Sequence, residues 1–250
     1  MPSMRISVEL VPRSVSALDE ELQRVKTQLP YVNAINIPDI VRFSLRSWQG
    51  CAQAKALFQH TIPHLRAIDF DLSKPLAIAE FLAEAGIDEV LVISGDAPVD
   101  MGQRVYPSSS LAMIRKLKLE HPHLRVYAAL DPYRQSLSQE HDYALRKLEA
   151  GADGLFTQPF FDLRLMAVYR ELLAGVPVFW GVTNVMSSRS QRYWQTRNRA
   201  IFPADFAATL EWNRAFARQA LAFARDHNQH IYFMPIKADT ISYLQGILSP

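Results

Sequence analysis

The chain has one cysteine, Cys51, in 250 residues. That excludes an intrachain disulfide framework and any cysteine-built metal cluster, and it fits a reducing compartment. No stretch of about 18 consecutive apolar residues occurs, so no membrane-spanning helix is expected. The opening MPSMRISVELVPRS lacks the apolar core of a signal peptide. These absences together give the expectation of a cytoplasmic protein. A bias of charge is missing too: 27 basic against 25 acidic side chains leave a formal +2, so neither a nucleic acid nor a membrane surface is indicated as partner. The nine glycines form no GxGxxG and no P-loop, and neither HExxH nor CxxC spacing occurs, so a metal site has no support. Low-complexity tracts, internal repeats and linkers are absent as well, and residues 1–250 read as one domain.

What is present is an alternation. Short apolar runs at 5–10, 31–37, 62–69, 89–93, 125–130, 154–156, 176–180 and 230–235 read as strands. Amphipathic runs lie between them, at 52–58, 75–85, 109–120, 139–150, 163–174, 190–197 and 203–227. The first helix is expected to start at Ser16, with Asp19 completing a capping box, and others to stop at Gly86, Gly151 and Gly175. Strands that alternate with helices pair in parallel, and eight such units in this length predict a (β/α)8 TIM barrel. A doubly wound open sheet is the alternative.

Such barrels place their chemistry at the C-terminal ends of the strands. Those ends carry Glu9, Asn36, Asp69, Ser94-Gly95-Asp96, Asp131, Gln158, Gly181 and Lys237. Glu9 lies between apolar neighbours, where a carboxyl group tends to a raised pKa and can serve as a general acid; the plain alternative is a carboxylate paired with an arginine. Asp96, after an apolar run and a glycine, can accept two hydrogen bonds from a planar N–H pair, or merely cap a turn helped by Pro98. Gln158 both donates and accepts, which suits a heterocycle edge or a backbone-satisfied amide. His64 reads first as a core histidine. Lys237 reads first as a solvated lysine, with imine formation or anion contact as alternatives. The segment RSQRYWQTRNR, 189–199, carries four arginines with Tyr193 and Trp194 and no acid; a solvated basic helix face is the first reading, a phosphate or nucleic-acid contact the second.

Five segments, taken in order, resemble the methylenetetrahydrofolate reductases, flavin-dependent (β/α)8 barrels. They are SVELVP at the first strand, PHLRAID at 63–69, VISGDAP at 92–98, KLEAGADGLFTQPFFD at 147–162 and YFMPIKAD at 232–239. The fourth is the most specific. The resemblance implies reduction of 5,10-methylenetetrahydrofolate to 5-methyltetrahydrofolate by hydride from NADH or NADPH through FAD. It places Glu9 as the general acid and Asp96 on the pterin edge near the flavin. Gln158 falls on the pterin contact, Trp194 on a residue packing against substrate or nicotinamide, and Lys237 near the folate tail. Asn36, His64, Ser94, Gly95, Asp96, Arg146 and Lys147 fall on flavin contacts. Ser94 stands where the family has arginine, Asn36 where it has threonine, and 130–136 is two residues shorter. These departures remove flavin contacts, so FAD is expected to bind less tightly than in typical members, and a flavin-free member is an alternative. A Schiff-base lyase using Lys237 and a non-catalytic folate-binding paralogue are further alternatives. The expected partner is a folate, and a homo-oligomer is compatible with this reading.

Overall fold

A computed structural model describes residues 4–96 and 104–248. Pro98, the expected turn former, lies outside the described residues. Eight strands form a closed parallel barrel in sequence order: β1 Ile6–Glu9, β2 Ala34–Ile37, β3 His60–Arg66, β4 Glu89–Ile93, β5 Arg125–Leu130, β6 Gly154–Thr157, β7 Val178–Thr183 and β8 His230–Met234. β8 closes onto β1 with Ile6 opposite Ile231. The helices between them are α1 Val15–Gln28, α2 Ser47–Ala54, α3 Ile78–Glu84, α4 Ser110–Glu120, α5 Leu137–Glu149, α6 Leu163–Leu172, α7 Ser188–Arg197 and α8 Leu210–Asp226, with α9 Thr240–Leu244 after the last strand. The TIM barrel is therefore the fold, and the open sheet is excluded by the β1–β8 pairing. No helix among the described residues is long and apolar enough to cross a membrane.

The strand side chains alternate between two cores. Those facing outward, such as Val8, Ile35, Val90 and Val126, pack under the helices. Those facing inward fill the barrel with Ile62, Leu91, Tyr127, Phe156, Phe179 and Tyr232. Phe156 and Phe179 stack with centroids 4.0 Å apart, so the middle of the barrel is solid.

Five expectations are corrected. Ser14, not Ser16, caps α1, its hydroxyl accepting the Ala17 N–H at 3.2 Å. The second helix starts earlier than 52, at Ser47, because the Asp39 carboxylate accepts the Ser47 N–H and Gln49 Oε1 accepts the Arg46 N–H. The expected helix 203–227 begins only at Leu210, where Thr209 supplies the cap. The seventh strand runs on through Gly181 to Thr183, so Gly181 is not a strand end. A side chain at Gly181 would put its Cβ 2.5 Å from the Thr157 carbonyl oxygen, so glycine is there for close strand packing. Glycine read as a strand terminator hid this. The third strand likewise ends at Arg66, and Asp69 closes a 3-10 turn, Ala67–Asp69, instead of a strand.

Candidate functional site

β1 delivers Glu9 to the C-terminal mouth of the barrel, opposite Asn36 in the β1–β2 register. The Glu9 side chain is 17% exposed. Among the described residues one hydrogen bond reaches it, from Asn36 Nδ2 to Oε2 at 3.2 Å. Burial raises its pKa from 4.5 to about 7, and the Asn36 bond only partly opposes this. The general-acid expectation thus acquires a physical basis: burial favours the protonated form of this group. The alternative of an arginine partner fails, since no arginine pairs with Glu9 among the described residues.

Asn36 is fully buried, and its amide holds this corner together. Its Oδ1 accepts from Ser7 Oγ at 2.8 Å, and its Nδ2 contacts both Glu9 and His64 Nε2, the latter at 3.1 Å. His64 is buried inside β3, and burial lowers its pKa to about 4, against a weaker pull from Asp39. The ring is neutral, its Nε2 accepts from Asn36, and its proton sits on Nδ1. The Ser47 hydroxyl donates to the His64 carbonyl at 2.6 Å, fixing the strand beneath. Neutral His64 stands 3.9 Å from Glu9 and does nothing to ionise it.

On the opposite wall Gln158 follows β6, two residues past the interior Phe156. Its N–H is pinned to the Leu130 carbonyl at 2.7 Å, while its side chain is exposed at the mouth. A buried strand ends in glutamine here because its last interior position opens to solvent at the mouth. Ser94 and Asp96 are exposed on the rim after β4, and Gly95 has φ +88. Arg66 Nη2 donates to the Asp96 carbonyl at 2.8 Å, which fixes the backbone there.

Other expected contacts are placed differently. Trp194 is buried, edge-on to Phe161 in a cluster with Tyr133 and Val185, so it supports the wall instead of facing a ligand. Lys237 lies past the end of β8, exposed, at φ +52. An imine-forming lysine needs a dry pocket, and this one lacks it. The loop carrying it is tied to the loop after β7, where the Asn184 amide bonds both the N–H and the carbonyl of Ile236 at 2.9 Å. On α7 the exposed Arg189, Arg192 and Arg197 have no acidic partner among the described residues.

Of the residues implied for a flavin, Asn36 and Lys147 are taken up within the protein and do not fit one as folded. Lys147 is buried, its ammonium donates to the Ala129 carbonyl, and it lies 3.9 Å from the centre of the Tyr143 ring. Burial lowers its pKa to about 8. Arg146 is exposed, 5.2 Å from the same ring. Beside Lys147 the fully buried Glu140 carboxylate takes both contacts of Arg134 and one from Gln135, so Arg134 is also committed within the protein. Asn36 has no free side-chain atom. A Cβ at Gly95 would meet Ile68 at 2.8 Å, so that face of the glycine is already covered.

Three features of the mouth escaped the sequence reading. Asp39 holds Arg46, which also bonds Asp69 at 3.0 Å, a pairing across two loops that spacing does not reveal. Glu140 and Tyr232 are likewise brought in by tertiary contacts. Away from the mouth, between α4 and the start of β5, His121-Pro122-His123 is a His-x-His pair with rings 6.3 Å apart, but no group of three metal-ligating side chains exists among the described residues.

Comparison with known proteins now bears on this mouth. The family described as "Methylenetetrahydrofolate reductase" matches residues 17–223. The 5,10-methylenetetrahydrofolate reductase of Buchnera aphidicola subsp. Schizaphis graminum is 27% identical over 112 residues, covering 44% of this chain and 38% of its own. That of Escherichia coli strain K12 is 27% identical over 119 residues, covering 46% and 40%. The matched stretch therefore spans about two fifths of these relatives' length. Among solved structures, an uncharacterized protein from Clostridium thermocellum that binds two copies of 5-methyl-5,6,7,8-tetrahydrofolic acid superposes with TM-score 0.65 at 10% identity, covering 98% of this chain and 96% of its own. A 2,3-dimethylmalate lyase gives TM-score 0.59 at 10% identity, covering 94% and 76%. At such identity these two structures speak for the barrel alone. The family match extends over most of the chain, and the chain belongs to the methylenetetrahydrofolate reductase family.

Proposed function

We propose that this barrel reduces 5,10-methylenetetrahydrofolate to 5-methyltetrahydrofolate with hydride from NADH or NADPH. The observation that carries the proposal is the geometry of Glu9, a largely buried carboxyl group at the mouth that among the described residues meets one amide donor and no arginine or lysine, so that burial raises its pKa to about 7. Protonated Glu9 gives its proton to N10 as the five-membered ring opens, leaving a 5-iminium cation. Hydride then adds to the exocyclic carbon, and the spent carboxylate recovers a proton from solvent. One proton and one hydride are consumed for each methyl group formed.

Around this step Gln158 is proposed to bond the pterin, supported by its exposed amide on a pinned backbone. Asp96 is proposed to receive the pterin edge from the rim, and exposed Lys237 to meet the folate tail. Trp194 acts from behind the wall. The protein's main contribution is holding two flat rings face to face while water is displaced. FAD is not carried into this proposal, because Asn36 and Lys147 are already committed within the protein. A cytoplasmic setting is inferred from the single, buried, free cysteine.

The test is product formation. Purified protein is given 5,10-methylenetetrahydrofolate with NADH or NADPH, with and without added FAD, and 5-methyltetrahydrofolate is quantified by chromatography. Product from the wild type and its near loss in Glu9→Gln is expected. No product under any of these conditions, with folate bound, would assign a folate-binding role without turnover. The visible spectrum of the protein after incubation with excess FAD decides the flavin: a colourless protein is expected.

A further inference from the structure

Asp131 takes no part in the chemistry above, yet it is built into the mouth. It follows β5 on the interior register of Tyr127 and Ala129, and it is half-buried. Its position is fixed twice. Its N–H donates to the buried Glu140 carboxylate at 3.0 Å, and its own Oδ1 accepts the Tyr133 N–H at 3.0 Å. Its Oδ2 has no hydrogen-bond partner among the described residues. The nearby cations are committed elsewhere: Arg134 makes a two-pronged contact to Glu140, and Lys147 donates to the Ala129 carbonyl. Burial, assisted by Glu140, holds the carboxyl group above its ordinary pKa. The interior phenol of Tyr232, which donates to the Thr157 carbonyl, feels the charges of both Glu9 and Asp131. Glu9 and Asp131 stand at the C-terminal ends of β1 and β5, opposite strands of the barrel.

We propose that Asp131 is a ligand-binding carboxylate, which accepts hydrogen bonds from the in-plane N–H donors on the edge of a flat ring bound at the mouth. A carboxylate offers about four lone-pair sites, and Tyr133 occupies one of them. Among the described residues no cation forms an ion pair with it, so it disfavours phosphate and glutamyl carboxylate and selects the neutral, N–H-bearing end of a ligand. Two ligands of the proposed reaction present such an edge: the aminopyrimidine of the reduced folate and the carboxamide of the nicotinamide. The inference rests on the folate-reductase reading.

The experiment compares wild type with Asp131→Asn, measuring the Kd of 5-methyltetrahydrofolate and of NADH by titration calorimetry. Asparagine keeps an oxygen for Tyr133 and places a donor against the ligand's donors. One of the two Kd values is expected to rise about 10- to 100-fold, as for a lost partner that leaves a polar group unpaired, with the other unchanged. Which one rises identifies the source. A matched analogue then separates recognition from shape: 2-desamino folate for the pterin, or the 3-acetylpyridine dinucleotide for the carboxamide. Wild type and variant should bind that analogue alike. Should the asparagine variant not fold, Asp131→Ser also keeps an oxygen for the Tyr133 N–H and is read the same way. Unchanged Kd values for both natural ligands, or equal losses with natural ligand and analogue, overturn the proposal. A wild type that binds neither ligand overturns the folate reading itself, and the inference with it.

Discussion

Two glutamates point into the same barrel, one at each end, and their protonation goes opposite ways. Glu89, at the start of β4, is fully buried, yet its pKa lies below the ordinary value. Burial pushes it up, but Arg5, Tyr127 and His60 together push harder the other way. Arg5 donates to Oε2, the Tyr127 hydroxyl donates to the same oxygen at 2.8 Å, and His60 bonds Oε1 at 2.9 Å. Glu9, at the end of β1, has a single amide donor and a neutral histidine, so burial prevails. Residue type and depth do not decide a carboxylate's charge; the number of committed donors does. The closed end stabilises the barrel, and the open end keeps one group able to give up a proton.

The sharpest way to break this comparison is Glu9→Gln. Folate turnover should fall about 100- to 10,000-fold, the usual range for a general acid. In the wild type, kcat/KM should decline as pH rises through about 7, since the acid must be protonated. A pH–rate profile without that limb would remove Glu9 from the role.

At the other end, Glu89→Gln strands the Arg5 charge in the interior and should cost about 3–5 kcal/mol of stability, read by urea unfolding. Turnover per folded molecule should hardly change. A large kinetic effect with intact stability would refute the division of labour between the two ends.

The pH slopes of stability should also oppose one another. Glu9 has a folded pKa of about 7 against an ordinary 4.5, so the stability it gives is present below about 4.5 and lost as pH rises through 7. Glu9→Gln should therefore match wild type near pH 4 and exceed it by about 3 kcal/mol at pH 8, since one pKa unit is about 1.4 kcal/mol. Glu89 is lowered, so its contribution is present above the ordinary pKa and lost as pH falls. Unfolding curves at pH 4, 6 and 8 for the two variants test both signs; parallel slopes would contradict the assignment.

The smallest effect expected is at Gln158. Its side chain has no protein hydrogen bond among the described residues, so Gln158→Ala should leave stability within about 0.5 kcal/mol. Folate affinity should weaken by about 0.5–1.5 kcal/mol. Equal folate affinity in calorimetry would place this amide outside the ligand site.

The sequence by itself determined the barrel, because alternating apolar periods and parallel pairing are local and repetitive signals. It also located Glu9 and Gln158, since strand ends can be read from where the apolar runs stop. It misplaced the end of β7, because the glycine needed for close packing against Thr157 looks locally like a terminator. Only the tertiary structure decided what each polar group is bonded to. Asn36 and Lys147 looked like ligand contacts and proved to be bonded inside the protein, through partners as far off as Ser7 and Ala129. Asp131 looked like one strand end among eight and proved to have an oxygen free at the mouth, its backbone held by Glu140 nine residues on. The reason is physical: periodicity fixes which way a side chain faces, but its charge and availability depend on donors from other strands, which meet it only when the barrel closes.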